Sequence, residues 1–104
     1  MDGPYALGTL SNSVPSSQWD WETGRLTRGQ RYRVTEPFVD ADGDHHQAGE
    51  EWLFISSLFS RFDDELTLCV RSNFNEEWKV RLLWKSGGQG EVIENFIRYV
   101  VPVA

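Results

Sequence analysis

Apolar and polar residues take turns along much of this chain after Gly29. Tyr32 and Val34 alternate with Arg31 and Arg33, which predicts a strand over Gln30–Thr35 with one buried face. Pro37 cannot donate to a ladder and marks a bend or an edge just beyond it. The dense run Trp52-Leu53-Phe54-Ile55 predicts a second strand over about Glu51–Leu58, apolar on both faces. A third, Glu65–Arg71, sets Leu66, Leu68 and Val70 against Thr67, Cys69 and Arg71. After a polar turn at Ser72-Asn73-Phe74-Asn75, Trp78, Val80, Leu82 and Trp84 alternate with Glu77, Lys79 and Arg81. The third strand and this fourth one, Glu77–Lys85, therefore read as a hairpin.

The period changes after the glycine-rich stretch Ser86–Gly90. Val92, Ile93, Phe96, Ile97 and Val100 recur at helical spacing with Glu91, Glu94, Asn95 and Arg98 opposite, predicting one amphipathic helix of about three turns that ends before Pro102. Residues 1–28 carry less pattern. Thr9, Ser11, Asn12, Ser13, Ser16 and Ser17 crowd residues 1–18, so this stretch reads as a partly disordered N-terminal tail whose removal the domain at 29–101 should tolerate. Trp19 and Trp21, two positions apart, are expected to dock on that domain.

Strand, long loop, Gly-Glu turn, strand and hairpin is the order of a small SH3-like barrel, with Ala48-Gly49-Glu50 at its diverging turn. The alternative is a curled antiparallel sheet. Either way a mainly β domain of about four to five strands with one C-terminal α-helix is expected. The Ala-Leu-Tyr-Asp-Tyr segment and Trp-Trp pair of peptide-binding SH3 domains are absent, so a proline-rich ligand is not expected.

Composition narrows the partners. With 104 residues the chain is expected to form a single small domain. A net charge of −6 argues against a nucleic-acid surface and against anionic lipid, both of which need clustered Lys and Arg. It suits a basic protein partner, although such a charge also serves solubility. One cysteine, Cys69, excludes an internal disulfide. Met1-Asp2-Gly3-Pro4 lacks the basic and apolar regions of a secretory signal, and no apolar run is long enough to span a bilayer, so the cytoplasm is the expected compartment.

The densest chemistry lies between the first two strands, in Asp40, Asp42, Asp44, His45 and His46. Asp40, Asp42, Asp44 and Glu51 fall at the carboxylate spacing of a calcium loop, but His45 stands where that loop needs glycine and the flanks read as strands. His45 and His46 with Asp42 and Asp44 are ligand types suited to zinc, although neighbours on a strand point to opposite faces. The simpler reading is a tight reversal at Asp42-Gly43, with glycine at positive φ and two exposed histidines. Cys69 lies in mid-strand with nothing nearby to lower its pKa, which makes a nucleophile unexpected there. Leu58, Phe59 and Phe62, if placed beside the acidic loop, would form an apolar patch with a charged rim.

The chain also resembles a small bacterial family of unknown function. The resemblance rests on Tyr32-Arg33-Val34, Phe38, Asp40, Asp42-Gly43-Asp44, His46, Gly49-Glu50-Glu51-Trp52, Asp64, Leu66-Thr67-Leu68, Arg81-Leu82, Trp84 and the segment around Ile93–Tyr99. It covers about residues 29–100 and implies no activity, since the family has none assigned.

These readings lead to a non-enzymatic protein-interaction module that needs no cofactor. Its expected binding surface is Asp40, Asp42, Asp44, His45, His46, Glu50, Phe59 and Phe62. Two alternatives stand beside it. One is a zinc or calcium site at Asp42, Asp44, His45 and His46 with a hydrolytic or sensing role. The other is an acidic, immunity-type protein that neutralises a basic partner.

Overall fold

In the computed structural model, residues 1–10, 26–60, 64–83 and 90–103 are described, with Phe59, Ser60 and Glu94 as backbone alone. The strands are β1 (Asp2–Tyr5), β2 (Arg31–Val34), β3 (Phe38–Val39), β4 (His45–His46), β5 (Glu51–Ser60), β6 (Glu65–Arg71), β7 (Glu77–Leu83) and β8 (Val100–Val103). Between β7 and β8 come a short helix α1 (Gly90–Glu94) and a 3-10 turn (Phe96–Arg98).

Six of these strands form one antiparallel sheet in the order β1-β7-β6-β5-β2-β8, and β3 and β4 form a separate two-stranded hairpin. The β6–β7 hairpin follows the alternation of its sequence. Leu66 faces Leu82, Leu68 faces Val80 and Val70 faces Trp78, so the apolar rows coincide across the pair. On β5 the ladder shifts between Phe54 and Ser56, which leaves Ile55 without a cross-strand partner. That extra residue explains why the Trp52–Ile55 run has no alternation: Trp52, Phe54 and Ile55 are all buried.

The core lies on one face of the sheet. Tyr32, Val34, Trp52, Phe54, Leu66, Leu68, Val70, Val80 and Leu82 pack there against Phe38, Ile93, Phe96, Val100 and Leu26. Phe38 meets the Phe96 ring edge-on at 5.6 Å, fastening the β3–β4 hairpin to the segment before β8.

Three expectations are corrected. The sheet is not a barrel: β1 and β8 are its two borders and are not joined to each other. Each border carries a proline, Pro4 on β1 and Pro102 on β8, and a proline supplies no N–H for a closing ladder. Val34, opposite Val100, sends its N–H to the Glu50 carbonyl on the β5 side. Two residues earlier, Tyr32 therefore faces β5 as well, and its partner Pro102 turns its nitrogen away from β2. The strand count among the described residues is also higher than expected, at six plus two.

The C-terminal helix is the third correction. Its apolar spacing is real, with Ile93 and Phe96 fully buried, but the helix stops at Glu94 and Ile97 is exposed. The Asn95 side chain bonds back to the Glu91 carbonyl at 3.2 Å, and the N–H groups of Arg98 and Tyr99 bond three residues back instead of four. The chain then extends, and Val100–Val103 pair with β2 over four residues. β-Branched valines suit that ladder better than a fourth helical turn.

The N-terminal segment also contributes structure. Asp2–Tyr5 pair with β7, Leu10 is buried, and its N–H reaches the Glu77 carboxylate at 2.6 Å. Gly3 has φ of +141°, and a Cβ there would lie 2.9 Å from Cε3 of Trp78, so glycine is what lets β1 lie so close to that indole. Trp19, Trp21, Phe62 and Trp84, for which the sequence offers expectations, lie outside the described residues. Among the described residues, no helix is long and apolar enough to cross a membrane.

Candidate functional site

The acidic segment folds as a hairpin with a buried centre. Phe38 pairs with His46 and Val39 with His45 across β3 and β4. Gly43 takes φ of +85° at the reversal, as the Asp42-Gly43 pair predicts. Asp40 organises the turn from inside. Its Oδ1 accepts the N–H groups of Asp42 at 2.9 Å and Asp44 at 3.0 Å, and its own N–H donates to the Asp44 carbonyl at 3.0 Å. The short polar side chain thus replaces water for two turn N–H groups while the carboxylate stays only 1 % exposed.

Asp40 Oδ2 lies 2.8 Å from Nε2 of His46 and 3.0 Å from the Met1 ammonium. The opposite ring nitrogen, Nδ1, lies 2.6 Å from Oε2 of Glu50. Glu50 Oε2 also accepts the indole N–H of Trp52 at 3.2 Å. His46 is itself only 1 % exposed, stacked on Phe38 with ring centroids 4.6 Å apart. The expectation of two exposed turn histidines is therefore corrected: His45 is exposed and His46 is not.

The electrostatics follow from this geometry. Burial alone would lower the pKa of His46, but the hydrogen bonds to Glu50 and Asp40 outweigh it and raise the pKa above its ordinary value. Carboxylates at both ring nitrogens favour the doubly protonated ring, which can donate to each. Burial would raise Asp40, yet His46, the Met1 ammonium and the Asp44 N–H together hold it below the usual carboxylate range. Burial likewise opposes the Met1 ammonium, and Asp44, Asp40 and Asp42 overcome it, raising that pKa to about 10. At the hairpin tip Asp42 pairs with Arg81, which lowers the aspartate and raises the guanidinium.

The sequence-predicted site residues thus separate into groups. Asp40 and His46, both buried, form one network with the partly exposed Glu50. Asp42, Asp44 and His45 are exposed on the hairpin. Phe59 pairs with Leu66 on β5, its side chain lies outside the described residues, and so does all of Phe62. Among the described residues, no group of three or more His, Cys, Asp or Glu is placed to hold a metal ion. Burial raises the pKa of the Cys69 thiol, away from the thiolate a nucleophile needs.

Beside the network is a feature the sequence reading missed. A pocket of about 270 Å³ opens at one end of the core, with Trp52, Val70 and Trp78 from β5, β6 and β7 in its lining. Glu50, Glu51, Phe74 and Met1 also line it. Phe74, in the β6–β7 turn, is 84 % exposed. An aromatic residue at the second centre of the polar turn Ser72-Asn73-Phe74-Asn75 is the sequence signal that could have pointed here.

Comparison with known proteins gives a fold likeness. No protein-family model and no curated protein matches the chain. Among solved structures, an integron cassette protein from the mobile metagenome of Vibrio cholerae superposes with a TM-score of 0.75 at 22 % identity. The match covers 89 % of this chain and 97 % of that one. At this identity the likeness shows a shared fold.

Proposed function

We propose that this protein is a non-enzymatic binding module that receives a protein partner at the pocket beside the β3–β4 hairpin. The observation that carries the reading is the pocket itself: about 270 Å³, open at the end of the core, next to an aromatic residue left 84 % exposed. Its setting supports the same reading. The Asp40–His46–Glu50 network fixes the hairpin and, through Trp52, the pocket wall, as a binding surface needs in order to be preorganised. Acid–base chemistry has less support, because the ring of His46 is buried and both of its nitrogens are engaged by carboxylates. The net charge of −6 favours a basic partner, and an immunity-type role would be one form of that function. Kinship with the bacterial family resembled at Asp42–Trp52 and a cytoplasmic location belong to the same proposal and assign no activity.

The test is co-purification from cells, followed by titration of the purified partner. Phe74→Ser should weaken binding at least tenfold, since it removes the exposed aromatic ring beside the pocket. Leu58→Asp changes the exposed residue opposite Thr67, on the other face of the sheet, and should leave binding unchanged. Equal binding by both variants would remove the pocket from the interface.

A further inference from the structure

Glu50 belongs to the buried network and to the pocket wall at once. It lines the pocket, and its Oε2 meets both Nδ1 of His46 at 2.6 Å and the indole N–H of Trp52 at 3.2 Å. Its backbone is pinned on both sides, since its N–H donates to the Gln47 carbonyl and its carbonyl accepts the Val34 N–H. Only the side chain is left to turn, and it is 30 % exposed. The other carboxylate on the ring has no such freedom. The Asp40 side chain is fully buried, with two turn N–H groups on Oδ1 and the Met1 ammonium beside Oδ2. Among the described residues, Asp40 and Glu50 are the charged groups that touch the ring. The Met1 ammonium, Asp42, Asp44 and Arg81 follow at the hairpin tip, the Arg33–Glu51 pair flanks Glu50, and Phe38 and Trp52 add no charge.

A doubly protonated ring donates to both carboxylates, whereas a neutral ring keeps one N–H and turns a lone pair toward the other. Toward Asp40, 2.8 Å away, that lone pair would meet a buried charge with no room to withdraw. Toward Glu50 it meets a side chain that solvent can receive. We propose that His46 and Glu50 form a proton latch on the pocket wall. With a proton on Nδ1, Glu50 is held in place and fixes the Trp52 indole. When that proton leaves to a base in solvent, the ring keeps its N–H on Nε2 for Asp40, Glu50 turns outward, and the buried Trp52 N–H loses its acceptor. Burial opposes the charged ring and the bonds to Glu50 and Asp40 outweigh it, so the latch is closed below the ordinary histidine value of 6.5 and opens as pH rises through the folded value. The latch belongs to the wall and acts whatever the pocket receives.

The test is an NMR titration of the whole chain, following the ring nitrogens of His46 and the indole N–H of Trp52 from about pH 6 to about pH 9. Over that range the Met1 ammonium, with its pKa raised to about 10, stays mostly charged. Nδ1 should take on the shift of a bare ring nitrogen while Nε2 keeps that of an N–H, and the Trp52 signal should move with the same midpoint. The backbone N–H signals of Asp42 and Asp44, held by Asp40, should stay where they are. Glu50→Ala should lower the His46 midpoint by about one pH unit and place the Trp52 signal, at every pH, where the wild type arrives only at the alkaline end. Glu51→Gln, another change in the lining, should leave the coupling intact. The wild-type titration decides by itself if Glu50→Ala fails to fold. A Trp52 signal that stays still while His46 titrates, a proton retained on Nδ1, or a ring that does not titrate within the range would each overturn the latch.

Discussion

The carboxylate of Glu77, with no solvent exposure, accepts the backbone N–H of Leu10 at 2.6 Å across 67 positions of sequence. Arg71 approaches its other oxygen at 3.2 Å. This buried charge is therefore partnered in part by a segment whose sequence reads as a tail. Deleting residues 1–10 removes that donor, the β1 ladder and the Met1 contacts to the hairpin. The loss should be about 2 kcal/mol or more, since a buried carboxylate loses a hydrogen bond. A melting temperature roughly 10 °C lower is expected by thermal unfolding. A truncated chain melting within about 2 °C of the intact one would favour the tail reading.

The Asp40–His46 pair gives stability a defined pH window. His46 has a raised pKa in the folded state, so its contribution is complete below its ordinary 6.5 and is lost as pH rises through the folded value. Asp40 has a lowered pKa, so its contribution is complete above its ordinary 3.8 and is lost as pH falls through the folded value. Urea unfolding from about pH 5 to about pH 9 should show the wild type's advantage over His46→Gln shrinking at the alkaline end. A constant advantage across that range would mean that His46 is neutral.

Phe96 and Ile97 are neighbours with opposite surroundings: the first has no exposed surface and the second is 55 % exposed. Phe96→Asp should cost several kcal/mol, roughly 4, by placing a charge in the core. Ile97→Asp should stay within about 0.5 kcal/mol. Denaturant midpoints check both, and comparable losses would refute the placement of the 3-10 turn.

Micromolar Zn²⁺, Mn²⁺ or Ca²⁺ should leave the melting temperature unchanged. Asp40 is committed to His46 and to turn N–H groups, and Asp42 to Arg81. A one-to-one site at a hundredfold excess over Kd would add about 2.7 kcal/mol of stability. A saturable rise lost in Asp44→Asn and His46→Ala would restore the metal reading.

What the sequence made legible was local. The β6–β7 hairpin follows from the alternation of Leu66, Leu68 and Val70 with Trp78, Val80 and Leu82, and the reversal at Gly43 follows from the Asp-Gly pair. Long-range partners were not legible. Val100 carries the helical spacing of Ile93 and Phe96, and only the pairing with β2, some 66 residues earlier by the Val34–Val100 register, makes it a strand residue. His46 reads as a turn residue because its neighbours are polar. Its burial depends on Phe38, Asp40 and Glu50 arriving from three separate positions. The pocket is harder still, since it is assembled from β5, β6, β7, a turn and the N-terminal residue.

The two proline-bearing borders limit how other chains can engage this sheet. An incoming extended peptide seeks an unbroken row of main-chain donors, and β8 is four residues long with the Pro102 nitrogen in that row. β1 is as short and contains Pro4. Lateral growth by copies of the same chain would meet the same proline at each border of the described sheet. On the binding reading, recognition would fall to side chains, and a partner would be read by its chemistry instead of by its backbone.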